Sequence, residues 1–179
     1  MTRRGENSTS VPVAGSMTEP VAVHSKPPAG PLWLGGAGLL PQGAALLAAL
    51  WGGPEWHYAA LAIGYGYAAL IFSFLGGLWW GIAAAASARG ETAPGWLWVA
   101  AVSPSLIALL TYMPWVFGDP WPGPSLILLG IAIMVSPLID RSIAGKYPGW
   151  TPPWWMPLRF TLSLGLGAAT LLLGIVAHG

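Results

Sequence analysis

The cationic side chains of this sequence all fall on one side of a reading with five apolar stretches, and that sorting constrains the fold more than any motif. The stretches run at about 31–51, 58–88, 95–113, 123–139 and 157–177. Arg3, Arg4 and Lys26 precede the first, Arg89 follows the second, and Arg141 and Lys146 follow the fourth, with Arg159 just inside the fifth. The first connection (52–57), the third (114–122) and the C-terminal end carry no Lys or Arg, only Glu55 and Asp119. Short loops on the cytoplasmic side of a membrane are enriched in Lys and Arg. The expected fold is therefore an all-α membrane protein. It is a bundle of five transmembrane helices with the N-terminus cytoplasmic and the C-terminus on the opposite side.

Composition agrees with this reading. Of 179 residues, 55% are hydrophobic and only 7% charged, against about 25% charged in an ordinary soluble domain. So few charges could not coat a soluble globule; lipid must cover it. A spanning helix uses about 20 mostly apolar residues, so residues 31–179 suffice for one five-helix domain and short connections. Residues 1–30, with prolines at 12, 20, 27 and 28, are expected to form a disordered cytoplasmic tail, having little apolar surface to offset ordering entropy. The first residues lack an apolar signal-peptide core, which implies an uncleaved first span acting as its own insertion signal. A net charge of +1 gives no surface for nucleic acid. The absence of cysteine excludes disulfides, thiolate metal sites and thiol catalysis.

Prolines punctuate the spans. Pro41 predicts a kink in the first and Pro104, between Ser103 and Ser105, a kink in the third; the fourth is expected to end at Ser136-Pro137. The second stretch exceeds one upright crossing, so an interfacial start near residues 56–58 or a tilt must absorb the excess. The Pro- and Trp-rich segment 147–157 reads as irregular chain in the headgroup layer. The 12 Trp residues form two belts: Trp51, Trp56, Trp115 and Trp121 at the outer ends, and Trp33, Trp79, Trp80, Trp96, Trp98, Trp150, Trp154 and Trp155 toward the cytoplasmic ends. Interfacial anchoring is the expected use of both.

The sharpest local pattern is a small-residue stripe on the second span: Ala69, Ser73, Gly77, Gly81 and Ala85, each four residues from the next. Such a face lets backbones approach closely. It can pack within the chain, which is the expectation here, or form a homodimer; Ser163 and Gly167 offer a similar surface on the fifth span. Few groups suit chemistry. Gln42, Ser73, Ser103, Ser105 and Thr170 are the main polar residues inside spans, and no ionisable group is expected at mid-depth, against proton-coupled transport. His24, His57 and His178 are scattered and read as solvated, so neither a metal site nor a haem pair is expected. No Ser–His–carboxylate set or phosphate-cradling loop is assembled. Asp140, Arg141, Lys146 and Arg159 form a cytoplasmic boundary cluster. Asp140 there can pair with Arg159 across the helical hairpin as an exposed ion pair, or the cluster can dock lipid headgroups. Gln42, Ser103 and Ser105 are the groups that would line a solute cavity.

The run YGYAALIFSFLGGLWWG (65–81) resembles the transmembrane protein 69 family, known in bacteria as domain of unknown function 3429. Pro104-Ser105-Leu106, Leu138-Ile139-Asp140-Arg141 and Leu158-Arg159-Phe160-Thr161 follow in the family's order, so the resemblance covers about 31–177. Family members often carry His where this chain has Trp79, so no metal or proton role is carried over to that position. The resemblance implies a small multi-pass protein without an assigned activity. It also implies a bacterial inner membrane location, or a mitochondrial one in a eukaryote. Three functions compete: a non-enzymatic scaffold or assembly factor for other membrane proteins, which fits best; a small permease or channel for a neutral or apolar solute; and a lipid-acting enzyme, for which no nucleophile or acid–base pair stands out. The expected partners are the lipid bilayer and other membrane proteins or a second copy, with no cofactor.

Overall fold

The computed structural model describes residues 26–119 and 121–177. Most of the expected tail, with Arg3, Arg4 and His24, lies outside the described residues, as does His178. Among the described residues every regular element is a helix: α1 (Ala29–Ala37), α2 (Leu40–Trp51), α3 (Pro54–Ala88), α4 (Gly95–Phe117), α5 (Gly123–Val135), α6 (Pro137–Lys146) and α7 (Trp155–Val176). They compose five segments long and apolar enough to cross a membrane, α1 with α2 forming the first and α5 with α6 the fourth. The chain alternates between two ends. One gathers Lys26, Arg89, Glu91, Asp140, Arg141, Lys146 and Arg159, and is called here the basic end. The other holds Glu55 and Asp119 and no Lys or Arg among the described residues.

Proline sets most helix boundaries, but not always as expected. Instead of kinking at Pro41, the first segment breaks just before it. α1 closes with Gly38 N–H donating to Leu34 O at 3.0 Å and Leu39 N–H to Gly36 O at 3.0 Å, and α2 restarts with Pro41 in its first turn. Proline has no N–H to give, and the first turn needs none. The same logic splits the fourth segment at Ser136, with Pro137 opening α6. The chain then stays helical to Lys146, beyond the expected end at 139. α4 runs through both Pro104 and Pro114 and stops only at Gly118, whose φ of 79° is left-handed. There Asp119 N–H donates to Pro114 O at 2.8 Å, closing the last turn. α3, with 35 residues, is about 52 Å long at 1.5 Å per residue, so it tilts or overhangs a core of about 30 Å.

Glycine decides which helices touch most closely. α7 is central, contacting α1, α2, α3, α5 and α6. Against α5 it places Gly167 and Gly174 opposite Gly130 and Gly123, seven residues apart on each helix and so on one face. A Cβ on Gly130 would stand 2.9 Å from Gly167 O, and one on Gly174 2.9 Å from Ile127 N. Only hydrogen fits there, and the backbones meet. α3 meets α4 the same way at Gly76, where a Cβ would overlap the Ala101 carbonyl. The expected stripe does not do this. Gly77 and Gly81 are exposed, a Cβ on either meets nothing within 4 Å, Ala85 is also exposed, and only Ala69 and Ser73 are partly covered. The stripe points out of the bundle; the packing face of α3 is the adjacent one through Gly64, Ala68, Phe72, Leu75, Gly76 and Trp79.

Candidate functional site

The boundary cluster is not an exposed ion pair. Asp140, in the first turn of α6, is fully buried, and Arg159 of α7 is only 6% exposed. Arg159 Nε donates to Asp140 Oδ2 at 3.1 Å, and Nη2 lies 3.0 Å from the same oxygen, close enough for an ion pair but not aligned for a second hydrogen bond. Oδ1 accepts from two indoles, Trp155 Nε1 at 2.9 Å and Trp79 Nε1 at 3.2 Å. Trp155 and Arg159 are four residues apart, one above the other on α7. Three helices therefore converge on one carboxylate. Its position at the start of α6 adds the favourable end of the helix dipole. A buried pair of this kind contributes little net stability when intact, but losing one partner costs about 3–5 kcal/mol. With three N–H donors on its oxygens, Asp140 is placed to pin helices together.

The rest of the cluster stays outside. Arg141 is exposed, and Lys146 lies over the Trp96 ring at 5.6 Å. In the connection after α3, Arg89 Nε donates to Glu91 at 2.9 Å, and Trp150 Nε1 reaches over from the 147–154 segment to the other carboxylate oxygen at 2.6 Å. The Trp150 indole first, and Arg89 second, hold the exposed Glu91 carboxyl below the usual carboxylate range.

The residues expected to line one cavity are separated. Gln42 is fully buried in the α2–α7 seam, where its Nε2 donates to Thr170 Oγ1 at 3.0 Å; Thr170 in turn donates to Leu166 O at 2.7 Å, and Gln42 Oε1 has no partner. Ser103 lines a groove of about 530 Å³ between α3, α4 and α5–α6, but its hydroxyl donates to Val99 O of its own helix at 2.7 Å. Ser105 faces outward. A second groove of about 380 Å³ lies between α1, α3 and α7, with Arg159 and Ser163 among its lining residues. Gln42 lines neither groove. His57, expected to be solvated, is partly buried and donates from Nδ1 to Ala49 O at 3.0 Å, closing the end of α2.

A family model described as a protein of unknown function, DUF3429, matches residues 27–175. The chain belongs to the DUF3429 family. No curated protein and no solved structure matches it. The matched segment of this DUF3429 protein takes in all seven helices almost completely, and so the whole Asp140 site.

Sequence reasoning assigned Trp79 and Trp155 to an anchoring belt and missed them as donors to Asp140. Trp79 is 3% exposed, so its ring is enclosed by the bundle and does not face lipid or headgroups. Nothing in the spacing of Trp79 and Trp80 says which of them turns inward, since adjacent helical residues about 100° apart can both face lipid, as Trp80 and Gly81 do. It also missed Tyr65, which donates to Ala108 O at 3.0 Å and ties α3 to α4. The seven-residue spacings of Gly123 with Gly130 and of Gly167 with Gly174 carried the close α5–α7 contact.

Proposed function

We propose that this multi-pass membrane protein is a non-enzymatic scaffold or assembly factor that packs against other membrane proteins through the outward small-residue face of α3. The observation that carries the reading is the exposure of Gly77 and Gly81, where a Cβ would meet nothing within 4 Å among the described residues. Glycine inside a helix costs about 1 kcal/mol relative to alanine, and at these positions no contact among the described residues uses the closeness it permits. A partner helix would. The polar side chains support the same reading, since Asp140, Gln42 and Tyr65 are engaged in joining helices. The permease alternative loses support because Gln42 sits in a closed seam away from Ser103 and Ser105. Charge sorting favours a cytoplasmic N-terminus, and the family resemblance, extended to transmembrane protein 69, favours a bacterial inner membrane or its mitochondrial counterpart.

The test is mild solubilisation and co-purification of the native chain and of a Gly77→Leu, Gly81→Leu double variant. A membrane protein or second copy should co-purify stoichiometrically with the native chain and be lost from the variant, whose own thermal unfolding stays unchanged. A solitary particle that passes a neutral solute across liposomes would replace this reading with the permease.

A further inference from the structure

We propose that the groove between α1, α3 and α7 holds one acyl chain of an anionic phospholipid from the leaflet at the basic end. Its wall is unusual. α1 buries none of its residues, so the groove is flanked on one side by a helix held lightly against the bundle. Leu34 of α1 is 76% exposed, and Gly35 sits directly on Leu162 of α7, where a Cβ would come within 2.7 Å of Cδ1. Phe74 of α3 closes the opposite side.

Three properties of the groove select the occupant. First, its polarity runs one way. The lining is apolar except for Arg159, 94% buried at the basic end, and Ser163 one turn deeper. A guanidinium at the basic end of an otherwise apolar trough matches an ester or phosphate head followed by a hydrocarbon tail. Second, its length fits. From Trp155 to Leu166 the groove follows α7 for about 16 Å, the depth of one leaflet in a hydrocarbon core of about 30 Å. Its volume of about 380 Å³ falls within the usual range for small-molecule sites, about 300–1,000 Å³. Third, the charge at this end favours an anion. Asp140 and Glu91 are taken up by Arg159 and Arg89. Lys26, Arg141 and Lys146 therefore give this end its uncompensated positive charge among the described residues. Lys26 lies five residues before Pro31, which lines the groove. The groove's α3 edge at Phe74 and Leu78 adjoins the face that carries Gly77 and Gly81, but Leu34 and Leu162 lie on other helices, so variants there test the groove without altering that face.

The full chain, purified in mild detergent and stripped of lipid, should be titrated with equal amounts of phosphatidylglycerol and phosphatidylcholine and read by native mass spectrometry. One lipid per chain should be retained, with phosphatidylglycerol preferred. Leu162→Trp, which fills the groove, should abolish retention while leaving thermal unfolding in place. Leu34→Trp, on the exposed wall, gives the same reading should the first variant not fold. Lys26→Ala should lower the preference for phosphatidylglycerol about fivefold, the effect of one basic residue near an anionic surface, without abolishing retention. Failure to retain lipid at one to one, equal retention of the two lipids, or retention unchanged in both filled variants would overturn the proposal.

Discussion

The α5–α7 pair and the α1 flank meet the same difficulty in different ways. Lipid is as apolar as leucine, so burying apolar surface gives helices in a membrane little reason to associate. α5 and α7 associate by removing side chains. Gly123, Gly130, Gly167 and Gly174 bring backbones together, while Leu126, Leu129, Leu166 and Leu173 fill the space on either side. α1 does less of both. It buries no residue, and its lateral ties are Gly35 resting on Leu162 of α7 and the Tyr67 hydroxyl donating to Gly38 O just past its end. The contrast teaches that apolarity places a helix in the membrane, while close approach and buried polar bonds place it in the bundle. The groove opens where both are sparse.

The largest expected effect comes from the polar clamp at the basic end of that tight pair. Asp140→Ala leaves the Arg159 guanidinium buried without its carboxylate and strips two indoles of their acceptor. A loss of about 3–5 kcal/mol is expected, read as a fall in unfolding midpoint in detergent. A change below about 1 kcal/mol would mean that the three helices are held by packing alone. Gly130→Leu comes next. Its side chain would meet the Leu171 and Gly167 backbones, which cannot swing away as a side chain can, so about 1–3 kcal/mol or more is expected. Gly36→Leu on α1 is the control. It meets nothing within 4 Å and should be neutral or slightly stabilising through better helix propensity. Similar costs for the two leucines would erase the distinction between the regions.

The distinction was only partly legible in the sequence. Five spans and their charge sorting were readable because hydrocarbon thickness and leaflet charge act on composition. Which face turns inward was not, because lipid-facing and helix-facing residues are equally apolar. Gly76 and Gly77 are adjacent and chemically identical, yet one touches Ala101 and the other touches nothing. The four-residue stripe was the more regular pattern and so drew attention to the wrong face. Asp140 was misplaced for a related reason. Its position after Ser136-Pro137 suggested a span already finished, whereas the helix restarts and carries the carboxylate inward between α3 and α7. That a nearby tryptophan was a partner and not an anchor could be known only once α3 and α6 were side by side.

A smaller effect probes the α2–α7 seam, intermediate between the two extremes. Thr170 gives its proton to Leu166 O and accepts from Gln42, whose Oε1 is unpartnered. Gln42→Leu therefore orphans no group and removes an unsatisfied one, so its cost should be within about 1 kcal/mol of zero, with stabilisation the favoured sign. Thr170→Val orphans the whole buried amide and should cost about 1–3 kcal/mol. The two residues share one hydrogen bond, so equal losses in unfolding measurements would show that bond to be the seam's main tie and this asymmetry to be wrong.

The smallest effect lies at the loop clip on the basic end. Glu91 accepts from Trp150 and Arg89, and both hold its carboxyl below the ordinary range in the folded chain. A depressed folded-state pKa gives stability that is present above the unfolded carboxylate value and lost as pH falls through the folded one. The clip between the α3–α4 connection and the 147–154 segment should therefore hold near neutrality and release only in acid. Because Glu91 is exposed, release should loosen that segment without unfolding the bundle. Hydrogen exchange of the 147–154 backbone should rise at low pH in the native chain, and Glu91→Gln should flatten that dependence. If the helices of the α5–α7 pair loosened in the same acid step, the clip would be coupled to the tight region and could not be counted with the lightly held one.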